Sequence, residues 1–229
     1  MVGVEKIIFI KKQNIMEEYT FLINRSVERK QNCILKNSSI KHARIILQAI
    51  FKNAEKDVYI FTGNLGDLVP PRTEYLYSMK RFLEDTPKKK FGKPLVRFSV
   101  ILADFPDKNS SAIKIIKEYR EKFPEQIKLT ILDPSGLPKV LETFDGKVHY
   151  FTVADDRMFR EETEIDRCYA IVNFNDPKKS MDLKELFLSL PTIDYEPPVP
   201  RDIEKQIPFF EKWKKRISLR WKWKVFRFA

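Results

Sequence analysis

Between Lys147 and Pro177 the chain reads KVHYFTVADDRMFREETEIDRCYAIVNFNDP, and this stretch holds the side chains best suited to chemistry. His149 is one of only two histidines. An imidazole can serve as nucleophile or general base near neutral pH. Asp156 follows it by seven residues, and Arg157 and Arg160 are cations just beyond Asp156. Residues two apart in a strand share a face. His149, Phe151 and Val153 therefore point one way, and Val148, Tyr150 and Thr152 the other. In the next apolar run Ile171, Asn173 and Asn175 share a face. If the two strands pair, the histidine and both amides converge at their ends. Asp155-Asp156-Arg157 then makes the turn between them, through the local hydrogen bonding of aspartate. By residue type alone, a single strand histidine is more often structural than catalytic.

The elements that must position these residues follow from periodicity and end signals. Ile15, Tyr19, Leu22, Ile23 and Val27 are spaced for one helix face. Asn37-Ser38-Ser39 offers cap oxygens to a helix over about 40–54, with His42 in its first turn. DVYIFTGN at 57–64 reads as a strand, 73–84 as a helix, and LVRFSVILA at 95–103 as a strand covered on both faces. A helix capped by Asn109 or Ser110 runs to 123, and a strand covers 127–132. A short helical turn is expected at 137–142, a strand around His149, a strand at 168–175 with Cys168 packed in it, and a helix at 180–190. Strands alternating with helices predict an α/β protein, a mixed sheet flanked by helices. The expected division is an N-terminal strand and helix arm at 1–36, an α/β domain at 37–191, a Pro-rich linker at 192–207, and a basic aromatic C-terminal extension at 208–229.

The run H-Y-F-T-V-A-D-D from His149 to Asp156 resembles the HxKxxxxD motif of the phospholipase D-like superfamily, with Phe151 in place of the lysine. The resemblance covers roughly residues 40–190 and implies one half of that fold. Carried over by position, His149 matches the nucleophile that forms a phosphohistidine, and Asp156 the aspartate that orients histidines. Val172-Asn173-Phe174-Asn175 loosely resembles the later Gly-Ser-x-Asn element, through Asn175 alone. Chains with one such motif generally dimerise, so a homodimer is implied. Losing the lysine removes a fixed cation that would face the transition-state oxygens. The resemblance therefore implies a catalytically degenerate member, with Arg157 or Arg160 the stand-ins if chemistry survives.

The C-terminal segment is read on its own. Eight of the 43 basic residues and one of the 32 acidic ones fall within 208–229, so this segment carries +7 of the net +11. Phe209, Trp213, Ile217, Trp221 and Val225 are four apart and share a helix face. Lys214, Lys215, Arg216 and Arg220 surround them, and Trp221 and Trp223 offer rings for stacking. Phosphate neutralisation with base stacking suits nucleic acid. The same pattern suits a peripheral contact with anionic membrane. The alternation of RWKWKV suits strand addition to a partner sheet, and packing of the aromatic face on the chain's own domain is the plain structural reading.

Two cysteines, Cys33 and Cys168, and two widely spread histidines assemble no zinc spacing, and neither metal nor cofactor is expected. Free thiols and the lack of a signal-peptide pattern in MVGVEKIIFIKK point to the cytoplasm. No run of about 18 apolar residues exists to span a membrane. Two functions follow. The first is a dimeric binding or scaffolding module for nucleic acid or a protein partner on a degenerate phospholipase D-like fold. The alternative is a metal-independent phosphodiesterase or nuclease using His149.

Overall fold

The computed structural model describes residues 16–63, 65, 74–85, 98–104 and 110–195. The described residues up to 193 form one compact unit, and the chain divides after Ile193. Residues 1–15 of the expected N-terminal arm and the basic extension at 208–229 lie outside the described residues.

Helix formation follows the cap and stripe signals closely. Residues 16–28 form α1. Ser39 caps α2 (Ile40–Asn53), its hydroxyl accepting from His42 N at 3.2 Å. α3 spans Glu74–Glu84, and Ser110 caps α4 (Ser111–Lys122). A 3-10 turn at Pro134–Gly136 leads into α5 (Leu137–Thr143). The last helix, α6, runs Pro177–Ser189. It starts three residues before the expected Ser180 because Asp176 accepts from Lys179 N at 3.0 Å and Pro177 fits the first turn.

One mixed sheet of eight strands carries the fold, in the order β1-β7-β6-β5-β2-β3-β4-β8. The members are β1 (Leu35–Asn37), β2 (Val58–Thr62), β3 (Phe98–Leu102), β4 (Ile127–Leu132), β5 (Tyr150–Ala154), β6 (Met158–Glu164), β7 (Tyr169–Asn173) and β8 (Thr192–Asp194). β2, β3 and β4 are parallel neighbours, each joined to the next through a helix. β5, β6 and β7 form an antiparallel meander on the other side of β2, and β1 closes that edge against β7.

The two faces bury different helices. Tyr59, Phe61, Ile101, Phe151, Val153 and Phe159 form one core with residues of α5 and α6, among them Val140, Phe144, Leu183 and Phe187. On the other face Phe98 meets Phe51 of α2 and Phe82 of α3. The α/β class with a mixed, helix-flanked sheet is as the sequence predicts.

Two expectations about the motif region change. The turn after β5 does not lead to the strand at 168–175. It leads to β6, which separates β5 from β7. Its sequence MFREETE carries four charges, yet Met158, Phe159, Arg160 and Glu161 are all buried. Two strand neighbours satisfy its backbone, and that pairing outweighs the polar composition. Cys168 is not packed in a strand. It sits before β7 with φ of 54°, partly exposed, where its carbonyl accepts from the Asn37 amide. β1 and β8 are short edge strands of three residues that no apolar run announces.

Candidate functional site

His149 immediately precedes β5, at the end of the sheet where the parallel strands β2–β4 finish. Its ring stacks on Phe144 of α5, with centroids 4.6 Å apart. Nδ1 lies 2.7 Å from Oε1 of Glu161 on β6. An ionised carboxylate only accepts, so Nδ1 carries the proton and Nε2 is the nitrogen left for chemistry. Lys179, from the first turn of α6, stands 2.9 Å from Oε2 of Glu161 and 5.9 Å from the centre of the Phe144 ring. The His149 side chain is 14% exposed and that of Glu161 6%. A carboxylate that fixes the tautomer and direction of an imidazole is the arrangement used to hold a general base or nucleophile.

Glu161 responds to two opposed influences. Burial, the largest, pushes its carboxyl up. The hydrogen bond to His149 and the Lys179 ammonium together outweigh it and hold Glu161 below the usual glutamate range. A carboxylate depressed in the folded state stabilises the fold above its unfolded pKa of about 4.3, and that stabilisation is lost as pH falls through the lower folded value. The expected result for Glu161→Gln is a flatter fall in the urea midpoint between about pH 4.5 and pH 3 than the wild type shows. Identical slopes for the two proteins would remove Glu161 from the acid response.

The remaining motif residues lie at the opposite end of β5. Val58 pairs with Ala154 and Phe61 with Phe151, so His149 and the 155–156 turn are separated by roughly 17 Å of strand. The registers Val153–Phe159 and Phe159–Asn173 put Asn173 level with Val153, not with His149. The expected convergence of the histidine with both amides therefore does not occur. Asn173 donates to Asn32 Oδ1 at 2.8 Å and accepts from Asn175 N at 2.9 Å, while Asn175 donates to Lys30 O at 2.7 Å. Both amides tie down the connection between α1 and β1. Asp156 pairs with Lys184 of α6, which also meets Asp57 at 2.9 Å. Burial pushes Asp57 up and its contact with Lys184 pulls it back. Arg157 donates to Phe174 O at 2.9 Å and Asn53 O at 3.4 Å, a clamp across three elements.

Phe151 occupies the motif's cation position and is 1% exposed. It packs against Phe61, with centroids 5.5 Å apart, and against Phe144 at 6.2 Å. Arg160 pairs in register with Thr152 and pairs ionically with Glu162, on the face of the sheet away from His149. Lys214, Lys215, Arg216, Arg220, Trp221 and Trp223 lie outside the described residues. Glu161 and Lys179 are the residues that sequence reasoning missed. Their signals were present: glutamate 12 positions after His149 fits the facing strand of a hairpin, and Asp176-Pro177 marks a helix start that brings Lys179 into its first turn.

Fold and site together define an α/β protein with a mixed eight-stranded sheet and a histidine–glutamate–lysine cluster at one end of it. Among the described residues no three His, Cys, Asp or Glu side chains cluster as metal ligands, and no helix is long and apolar enough to cross a membrane. Several solved structures resemble the chain, among them the following two. One is phosphatidylserine synthase from Haemophilus influenzae Rd KW20, the other TrmBL2, an archaeal chromatin protein with a novel mode of DNA binding. Each is 14% identical over 81% of this chain, with a TM-score of 0.43. The chain spans 46% of the synthase and 62% of TrmBL2, less than two thirds of either. At that similarity they supply no residue correspondence. No protein-family profile and no curated protein matches the sequence.

Proposed function

We propose that this chain is a non-catalytic binding module, a phospholipase D-like half whose phosphodiester chemistry has lapsed and which holds nucleic acid as a homodimer in the cytoplasm. The observation that carries the reading is the burial of Phe151 in the core shared with α5 and α6. A cation facing substrate oxygens has no place there. The other motif residues support it: Asp156, Asn173 and Asn175 are all engaged in ties that hold the fold. Nucleic acid is favoured as partner because residues 208–229 add +7 together with three tryptophans. Two free cysteines fit a reducing compartment.

The test is binding of the full chain to duplex and single-stranded DNA between about 50 and 200 mM salt, beside a chain ending at Pro200. Neutralising six or more phosphates costs about 10³-fold or more in affinity over that range, and the shortened chain is expected to show a much shallower salt dependence. Unchanged, salt-insensitive binding after truncation would sink the nucleic-acid assignment and leave a protein partner as the alternative.

A second reading rests on the Glu161–His149 pair. It leaves Nε2 for chemistry and brings Lys179 in as a cation where Phe151 offers none. On this reading the chain hydrolyses phosphodiesters through His149 without a metal. Turnover in EDTA that vanishes in His149→Ala supports it; the absence of turnover in the wild type returns the assignment to the binding module.

A further inference from the structure

A second corner, a mostly apolar one that holds a buried arginine, lies on the sheet face opposite His149, at the carboxyl ends of the parallel strands. The strand order turns at β2: β3 and β4 extend from one side of it, and β5 lies on the other. In α/β sheets ligands commonly bind outside the carboxyl ends of the parallel strands, here β2, β3 and β4. A cavity of about 60 Å³ sits there. Thr62, Leu65, Tyr150, Thr152, Arg160 and Glu162 are among its walls.

Arg160 is the unusual member. It is 6% exposed, its Nη2 is 3.3 Å from Oε1 of Glu162, and its Nε has no hydrogen-bond partner. A guanidinium carries five donors in a fixed fork, and buried donors are almost always met. The positive charge is felt on this face by Tyr19 and Tyr75. Burial pushes both phenols up to about 12, and Arg160 acts in the opposite sense on each. Tyr150 is held over the end of β2 by a glycine: a Cβ at Gly63 would lie 3.0 Å from its hydroxyl oxygen.

Size and chemistry together name the ligand. The cavity has room for about four waters, which matches a group of four or five heavy atoms and is too small for a sugar ring or a base. The hydroxyls and Arg160 are donors; Glu162 is the one obligate acceptor, and it already faces Arg160. We infer that this corner binds a small oxyanion, inorganic phosphate or the terminal phosphate or carboxylate of a small metabolite, with Arg160 as its charge partner and Glu162 holding the guanidinium in place. Arg160 and Glu162 belong neither to the His149 cluster nor to residues 208–229, so the inference stands whichever reading of those proves right.

Calorimetric titration of the full chain at constant ionic strength tests it, with phosphate, acetate and pyruvate as probes and chloride as reference. The wild type is expected to bind phosphate or a carboxylate saturably, and the stronger probe identifies the source. Arg160→Gln is expected to weaken that binding at least about tenfold, and Tyr150→Phe by less, since a charged hydrogen bond is the larger loss. Lys122→Gln, on the exposed face of α4, keeps wild-type affinity. If Arg160→Gln does not fold, Thr62→Ile narrows the cavity from a half-buried position and is expected to abolish binding instead. No saturable binding of any probe by the wild type overturns the inference, as does wild-type affinity in folded Arg160→Gln or in Thr62→Ile.

Discussion

Replacing Phe151 by alanine is expected to lower the free energy of unfolding by about 3–5 kcal/mol, because the fully buried ring leaves a cavity that its neighbours close only in part. The neighbours are rigid ones. Phe61 sits on the adjacent strand β2 and Phe144 at the end of α5, and both rings already pack on other groups. Phe151→Lys is the more telling substitution, since it restores the residue that the phospholipase D-like motif has at this position. Here it places an ammonium in the core, beside a glutamate whose two oxygens already face His149 and Lys179. A buried charge with no free partner costs more than a cavity. The lysine protein is therefore expected to be less stable than the alanine one, and to gain no phosphodiesterase activity. Urea unfolding followed by circular dichroism reads both effects. A Phe151→Lys protein as stable as the wild type, and cleaving a phosphodiester in EDTA, would show that the position opens to a substrate after all.

The outcome at Phe151 bears on the charge around His149. Residue 151 supplies no cation, but one stands near the histidine, supplied by α6 in the form of Lys179. That lysine neutralises Glu161, and Glu161 in turn orients His149. The cluster is balanced for holding three elements together, β5, β6 and α6, as well as for chemistry. The same side chains serve both readings, and only turnover separates them. Stability measurements at Phe151 and turnover measurements at His149 are thus independent tests of one site.

Much of the α/β frame was legible because its strands and helices differ in period and in end chemistry. β2, β3 and β4 are short apolar runs, and Ser39 and Ser110 announce α2 and α4 by supplying cap oxygens. β6 was not legible. Its identity as a strand comes from hydrogen bonds to β5 and β7, and a sequence window sees side chains rather than pairing partners. Missing β6 had a larger effect than missing one strand of eight. It hid Glu161, the partner that gives His149 a fixed direction, and it placed β7 beside β5, which moved Asn173 and Asn175 to the wrong end of the site. The seven-residue spacing of His149 and Asp156 does not bring them together, because a strand keeps residues seven apart far from each other unless the chain turns between them.

The turn that follows β5 carries the second large expected effect. Asp155 and Asp156 have φ of 55° and 56°, both left-handed, and Arg157 N donates to Ala154 O at 3.2 Å. Two central residues of positive φ make the tight hairpin turn whose twist suits antiparallel strands, a position where asparagine or glycine is the easier choice. Asp155 is retained there by what its carboxylate does. It accepts from Glu55 N at 2.8 Å, Lys56 N at 2.7 Å and Asp57 N at 3.2 Å, the backbone donors that lead into β2. Asp155→Ala leaves those donors without their acceptor and puts a less tolerant residue at positive φ. Water can reach the Glu55 and Lys56 end, so the expected loss is about 2–4 kcal/mol rather than the full sum of three charged hydrogen bonds. For a chain of this size that is a fall in Tm of about 5–15 °C. Asp155→Asn tolerates the backbone and keeps one acceptor oxygen, so about half the loss is expected. Asp156→Asn is expected to cost within about 1 kcal/mol, because that side chain is 43% exposed and Lys184 retains Asp57 as a partner. Thermal melts of the three proteins give the ordering. If Asp156→Asn costs as much as Asp155→Ala, the backbone cradle is not what holds this turn, and the Lys184 pair with Asp156 is the stronger tie between the hairpin and α6.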